Sequence, residues 1–268
     1  MPSEKETGDV IIAGAETIDL QGANSNGVLL LHGFGDTPQT LRLLAEHLHV
    51  AGFGVRAPLL PGHGRSVQEF TRSRRGQWLD SARHELVEFR ERYSSVAIVG
   101  LSMGGAIACL LAAENSDLRA LVLIAPYLGM KPSYRVICAA SWLWGPLFGT
   151  VRSNSPRSIH DPVERAKNLG YGVYTGHLVY ELWRLTNQAR RILPVVRTPT
   201  LLIQSKEDPR IATSVAERSF ALLGTADKRL VLTEGAGHII TVDYGRERVF
   251  HEVCDWLEAH MRVEVATA

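Results

Sequence analysis

Ser102 stands in Gly100-Leu101-Ser102-Met103-Gly104, between the apolar run Val96–Val99 and a helical pattern from Met103 to Ala113. A hydroxyl is a weak nucleophile at neutral pH. A serine in this G-x-S-x-G pattern therefore carries chemistry only when a base and an orienting acid can reach it. The glycines have a steric reason: a serine lifted on a sharp strand-to-helix turn needs small neighbours where strand and helix approach. The amide after the serine then opens the helix, whose positive end favours a developing oxyanion. A glycine-rich turn without chemistry is the plainer alternative, and it is weakened by the partners found downstream.

The base and acid of such an elbow follow the serine in chain order. Of the ten histidines, His238 lies in the glycine-rich loop Gly235-Ala236-Gly237-His238 before the last helix. His47, His49, His84, His251 and His260 fall in helical stretches, where solvated or packing roles fit better. His160 and His177 lie where substrate contact is open to them, and His63, in Pro61-Gly62-His63-Gly64, is the main rival as base. Asp208, after the apolar run Leu201–Gln204, is the foremost acid, with Glu207 and Asp227 as rivals. A second oxyanion donor is expected from His32-Gly33-Phe34-Gly35, so the N–H groups of Phe34 and Met103 form the expected hole. His32 itself is read as a structural histidine bracing that loop.

The elements that must position these groups are legible as alternating short apolar runs and longer amphipathic stretches. Val28–Leu31, Gly52–Val55, Val96–Val99, Leu121–Ile124, Thr200–Gln204 and Leu230–Leu232 read as strands. Helical spacing covers Leu41–Leu48, Trp78–Tyr93, Met103–Ala113 and Val249–His260. This order implies an α/β fold, a largely parallel sheet with helices on both faces. Asp9–Leu20 reads as an antiparallel edge hairpin. From residue 127 to 193 the strand rhythm stops and aromatic residues accumulate, among them Tyr127, Tyr134, Trp142, Trp144, Phe148, Tyr171, Tyr174, Tyr180 and Trp183. That stretch is read as a mostly helical cap inserted after the sixth strand, with 1–126 and 194–268 forming the core domain. Ser141–Phe148 is equally readable as a lid helix or as plain packing. Trp142, Trp144 and Ile239 are taken as substrate contacts.

The segments LLLHGFGDTP, APLLPGHGRS, GLSMGG, IQSKEDPRI and GAGHII together resemble bacterial carboxylesterases and monoacylglycerol lipases of the α/β-hydrolase superfamily. The resemblance covers nearly the whole core in order and fades in the insertion. It implies an eight-stranded, mostly parallel sheet, a lid over the site, and hydrolysis of medium-length acyl or monoacyl esters through an acyl-enzyme. It assigns Ser102, Asp208, His238, Phe34 and Met103 to their family roles. Pro209-Arg210-Ile211 resembles the turn after the family's acid, which favours Asp208 over its rivals.

Composition narrows the partners. With 29 basic against 28 acidic residues the net charge is +1, which offers no field for nucleic acid or an anionic membrane. Arg72, Arg74 and Arg75 read as a solvated loop. Cys109, Cys138 and Cys254 make neither a disulfide framework nor metal-ligand spacing. No metal and no cofactor are expected, since no phosphate-cradling loop or dinucleotide fingerprint is present. MPSEKETGDV has no apolar signal core and no run is long enough to span a bilayer, so a cytoplasmic enzyme, monomer or dimer, is expected, with at most transient lipid-surface contact. The aromatic, weakly charged insertion favours an apolar acyl or aryl ester. Thioesterases, carbon–carbon bond hydrolases and haloperoxidases share the elbow. Epoxide hydrolases and dehalogenases need aspartate there. A non-catalytic binding protein on the same fold is the alternative from another class.

Overall fold

The computed structural model describes residues 10–130, 132–152 and 158–261, without the side chains of 132–135 and 146–148. The polar N-terminal leader, the start of the expected hairpin at Asp9, and the side chains of Tyr134 and Phe148 lie outside the described residues. In chain order the core begins with β1 (Ile18–Leu20), β2 (Asn26–Leu31), α1 (Arg42–Val50), β3 (Gly54–Ala57), α2 (Val67–Arg72) and α3 (Arg75–Arg92). It continues with β4 (Ser95–Leu101), α4 (Met103–Glu114) and β5 (Ala120–Ile124). The inserted stretch holds α5 (Pro132–Ala139), α6 (Ser141–Phe148), β6 (Val151–Arg152), α7 (Pro162–Lys167), β7 (Val173–Tyr174) and α8 (Gly176–Ile192). The chain closes with β8 (Thr200–Ser205), α9 (Thr213–Leu222), β9 (Lys228–Thr233) and α10 (Arg246–Met261).

The main sheet has the order β1-β3-β2-β4-β5-β8-β9, with only β1 antiparallel to its neighbour. Its central strands are apolar on both faces, as a parallel sheet covered on both sides requires. Leu29, Leu31, Ile98, Leu121, Leu123 and Leu202 point into one core. The alternate residues Val28, Leu30, Ala97, Val99, Val122 and Ile203 point into the other. Each fully buried Leu, Ile or Val side chain is worth roughly 1.5–3 kcal/mol relative to exposure. α1 and α10 cover the second core, while α3, α4 and α8 cover the first.

Among the described residues the main sheet counts seven strands, one fewer than the resemblance implies. The difference lies in the expected hairpin. Gly14 takes φ +90°, and Ala15 N–H closes a turn on the Ile12 carbonyl at 2.8 Å. Ile12 N–H is drawn instead to the Gly64 carbonyl at 2.8 Å. Only Ile18–Leu20 is left to pair as a strand, so the insertion follows the fifth strand of the sheet. Within the insertion, β6 and β7 form a small antiparallel ribbon that the aromatic composition did not signal.

α4 explains why part of the insertion belongs against the core. All residues from Met103 to Ala112 are buried, and a helix apolar on every side must be covered on every side. α8 supplies the cover with Leu178, Leu182, Leu185 and Ala189, spaced along one helical face. Arg75 and Glu181 pin α8 to α3: the Arg75 N–H and its guanidinium both donate to Glu181 Oε2, at 3.1 and 2.9 Å. No helix among the described residues is long and apolar enough to cross a membrane.

The elbow glycines are dictated by contact. A Cβ on Gly104 would lie 2.0 Å from the Leu31 carbonyl oxygen, and one on Gly100 would lie 2.4 Å from the Gly104 carbonyl oxygen. Gly104→Ala should therefore lower the urea-unfolding free energy by about 3 kcal/mol or more, since the obstacle is backbone rather than a movable side chain. Denaturation within about 0.5 kcal/mol of wild type would contradict the packing described.

Candidate active site

Ser102 is held between β4 and α4 at φ +55°, ψ −113°, a conformation that costs a side-chain-bearing residue on the order of 1–3 kcal/mol. The surroundings impose it. Ser102 N–H donates to the Ile124 carbonyl at 2.9 Å, and the Ser102 carbonyl accepts from Gly105 N–H at 3.0 Å and Tyr127 N–H at 2.9 Å. The end of β5 thus clamps the elbow while the tight glycines let α4 approach.

His238 brings its ring between the two other groups. Nε2 lies 2.8 Å from Ser102 Oγ and Nδ1 lies 2.7 Å from Asp208 Oδ2. All three residues are nearly sealed from solvent. An ionised carboxylate can only accept, so Nδ1 carries the proton and Nε2 faces the serine hydroxyl as acceptor. Asp208 is itself well anchored: Oδ1 accepts from the N–H groups of Arg210 at 2.7 Å and Ile211 at 3.0 Å, and Oδ2 also accepts from Gln204 Nε2 at 2.9 Å. Burial alone would raise the Asp208 pKa. The facing His238 and the hydrogen bonds from His238, Ile211 and Arg210 outweigh burial and hold it below the usual carboxylate value.

The rivals fall elsewhere. Glu207 accepts from Ser205 Oγ and Gly235 N–H, both at 3.2 Å. Asp227 pairs with His260 at 3.0 Å. His63 is buried against the rings of His32 and Phe70, with Nδ1 donating to the Pro61 carbonyl at 3.1 Å. Its pKa is pushed well below the ordinary value by burial and by His32. His32 accepts Leu60 N–H on Nε2 at 3.1 Å and donates from Nδ1 to the Gly33 carbonyl at 2.9 Å. Burial lowers its pKa to about 4, so it stays a neutral brace under the loop. His160 and His177 bond the carbonyls of Gly235 (2.8 Å) and Ser73 (3.1 Å).

Met103 follows Ser102 directly, and Phe34 follows Gly33, where an added Cβ would lie 3.4 Å from Ser102 Cβ. Met103 is the first residue of α4, where an amide has no acceptor within the helix. Phe34 N–H donates to no backbone carbonyl among the described residues. The Phe34 ring packs on Phe70, Trp78 and Tyr174, with centroids 5.1, 5.9 and 6.1 Å away. The neighbouring Gly35 carbonyl accepts from Tyr171 N–H at 3.0 Å, which ties this loop to the insertion. Of the expected substrate contacts, Ile239 is buried directly after the histidine. Trp142 is 62% exposed on α6, and Trp144 Nε1 donates to the Ile137 carbonyl of α5 at 2.8 Å.

Two charged residues have contacts at the site that the sequence did not assign them. Arg210 donates to Tyr174 Oη at 2.6 Å and to Ser158 Oγ at 3.0 Å, tying the acid's loop to the insertion. Asp36 looks like a turn residue in Asp36-Thr37-Pro38. Yet a Cβ on Gly33 would lie 2.9 Å from Asp36 Oδ2 and 3.4 Å from Ser102 Cβ, so the carboxyl shares the serine's pocket. Only the fold could reveal that. Burial pushes its pKa up to about 6, against the opposing pull of the facing Arg210 and His238.

A serine hydroxyl, an imidazole and a carboxylate joined in one hydrogen-bonded line suit attack on an acyl carbon. Among the described residues no group of His, Cys, Asp or Glu is arranged to hold a metal ion.

A family model described as Hydrolase_4, serine aminopeptidase, S33, matches residues 22–244. The thermostable monoacylglycerol lipase of a Bacillus species is 26% identical over 250 residues, covering 93% of this chain and 97% of that protein. The carboxylesterase of Bacillus subtilis is 26% identical over 232 residues, 86% and 92% of the two chains. Among solved structures, one reported for the metagenome-derived lipolytic enzymes LipS and LipT superposes with a TM-score of 0.85 at 28% identity. It covers 94% of this chain and 100% of that one. The monoacylglycerol lipase of Paleococcus ferrophilus shares the fold, with a TM-score of 0.79 at 22% identity over 91% of this chain and 98% of its own. The fold is that of the α/β-hydrolases.

The raised pKa of Asp36 has a consequence for stability. Its ordinary value is about 4 and its folded value about 6, so the folded state resists its ionisation. Stability present below pH 4 is lost as pH rises through 6. Asp36→Asn should raise the thermal midpoint at pH 8 and give no gain at pH 4. Circular-dichroism melts across that range check the sign, and an equal effect at both ends would contradict it.

Proposed function

The chain belongs to the Hydrolase_4 family, and from that premise we propose that it is a serine carboxylic-ester hydrolase for short- to medium-chain acyl esters or monoacylglycerols. The observation that carries the reading is the continuous hydrogen-bonded line from Asp208 through His238 to Ser102. Relatives named as monoacylglycerol lipase and carboxylesterase, each aligned over most of both chains, support the choice of ester.

In this reading His238 Nε2 takes the Ser102 proton as Oγ attacks the ester carbonyl, and the N–H groups of Phe34 and Met103 hold the resulting oxyanion. Asp208 fixes the Nδ1–H tautomer and stabilises the imidazolium. His238 then returns the proton to the departing alkoxide, leaving an acyl-enzyme. A water deprotonated by the same imidazole attacks the acyl carbon, and collapse of the second intermediate frees the acid and restores Ser102. Residues 127–193 act as the cap over the core formed by 1–126 and 194–268, with α8 as its foot on α4 and Tyr174 stacked on Phe34 beside the serine's loop. The three unpaired cysteines suit a reducing cytoplasm.

Hydrolysis of p-nitrophenyl esters from acetyl to palmitoyl, alongside 1-monoacylglycerols, tests this reading. Wild type should turn over both classes with an optimum in acyl length. Ser102→Ala and His238→Ala should lose a thousandfold or more, and Asp208→Asn on the order of ten-thousandfold, in kcat. Folded wild type that cleaves no oxygen ester but cleaves acyl thioesters would move the reading to a thioesterase. No turnover together with no fluorophosphonate labelling of Ser102 would move it to a binding protein.

A further inference from the structure

Downstream of His238, the carboxylate of Asp243 is completely buried and receives four backbone N–H groups. Oδ1 accepts from Asp161 at 2.9 Å and Tyr244 at 2.8 Å, and Oδ2 from His160 at 2.8 Å and Gly237 at 2.7 Å. The donors come from three places. Gly237 immediately precedes the histidine, Tyr244 leads into α10, and His160 and Asp161 lie on the inserted stretch just before α7.

That inserted segment also runs along the histidine's loop. The Ser158 carbonyl accepts from His238 N–H at 2.9 Å and Ile239 N–H at 3.0 Å, and His160 Nδ1 donates to the Gly235 carbonyl at 2.8 Å. The backbone of His238 is therefore held by the insertion, and Asp243 joins the two strips of chain that meet there. Hydrogen bonds to a carboxylate are roughly twice as strong as neutral ones. A carboxylate filled with four donors gives the loop one geometry, because any slip of Gly237 or His160 leaves a charged oxygen short of a partner.

We propose that Asp243 is a positioning residue for the reaction: it locks the loop of the base to the Ser158–Asp161 segment and so fixes the reach of His238 toward Ser102. The proposal rests on the reading of His238 as the base. It assigns the insertion a second task beside covering substrate, because the cap and the base then share one anchor. A purely architectural carboxylate would act through stability alone. A positioning one acts on kcat, since displacing a catalytic group by about 1 Å costs roughly a hundredfold.

The test uses the full-length protein with p-nitrophenyl butyrate as probe. Asp243→Asn keeps the shape but turns an amide NH2 toward backbone donors. It should lower kcat about 10- to 100-fold with KM within about threefold. It should also shift or broaden the low-field proton NMR signal of His238 Nδ1–H, whose partner Asp208 is untouched. Asp243→Ala should do the same more severely. A folded Asp243→Asn protein with wild-type kcat and an unaltered low-field signal overturns the proposal, as does a change confined to KM. A measurement on wild type needs no variant: hydrogen exchange at the Gly237 and His238 amides should be slow, and exchange as fast as an open loop overturns the lock. His238→Ala separates the two layers of the argument. If it stays active, the base reading falls. If it is dead while the Asp243 variants are fully active, only the positioning role falls.

Discussion

The approach of α4 to the β2–β4 pair is the contact on which the site depends. At Gly104 the helix backbone touches the Leu31 carbonyl so closely that no side chain fits between them. The same closeness forces the chain to reverse at Ser102 in a left-handed conformation, because a relaxed turn would carry the helix off the sheet. The strain is borne by hydrogen bonds from the serine's own backbone to β5 and the segment after it. Lifting the hydroxyl out of the sheet, starting the helix at the next amide and pairing β4 with β5 are thus aspects of one packing problem. The serine is exposed to its partners because the backbone has nowhere else to go.

Around that elbow the molecule gives its buried histidines different surroundings. His32 and His63 sit among carbonyls, rings and apolar side chains, where burial strips any tendency to take a proton. His238 is equally buried but faces a carboxylate fed by backbone donors. The first pair holds a loop in shape, while the second setting fixes the orientation and tautomer of a ring beside a serine hydroxyl. The partners each ring meets, carbonyls and rings for His32 and His63 and a carboxylate for His238, make a distinction that sequence spacing only hints at.

Much of this was readable from the chain. The apolar runs gave the parallel strands because both faces of the sheet are covered, and the period of the pattern marks that state. The meeting of Ser102, Asp208 and His238 was legible because each follows a strand in a loop with its own turn chemistry, and the resemblance of Pro209-Arg210-Ile211 favoured Asp208 over its neighbours. The opening hairpin was misread because Ile12 and Ala15 bond into a turn and to the Gly64 loop, which apolar character near Gly14 does not reveal. The β6–β7 ribbon is too short to show a period of two. Asp36 and Asp243 were silent for another reason. A carboxylate in a polar turn looks the same whether it faces water, the nucleophile or four backbone amides, and only tertiary contact tells these apart.

The coverage of α4 by α8 sets limits on how this family member can diversify. An enclosed helix with no polar face would become an adhesive surface if its cover were trimmed, so deletions reaching past Gly176 expose the core and invite association between copies. α6 shares that obligation, because its Gly145 lies so close to α8 that a Cβ there would sit 2.6 Å from the Gly176 Cα. Exchanging the inserted stretch on this scaffold is therefore a matter of keeping α6 and α8 together as one block against α4.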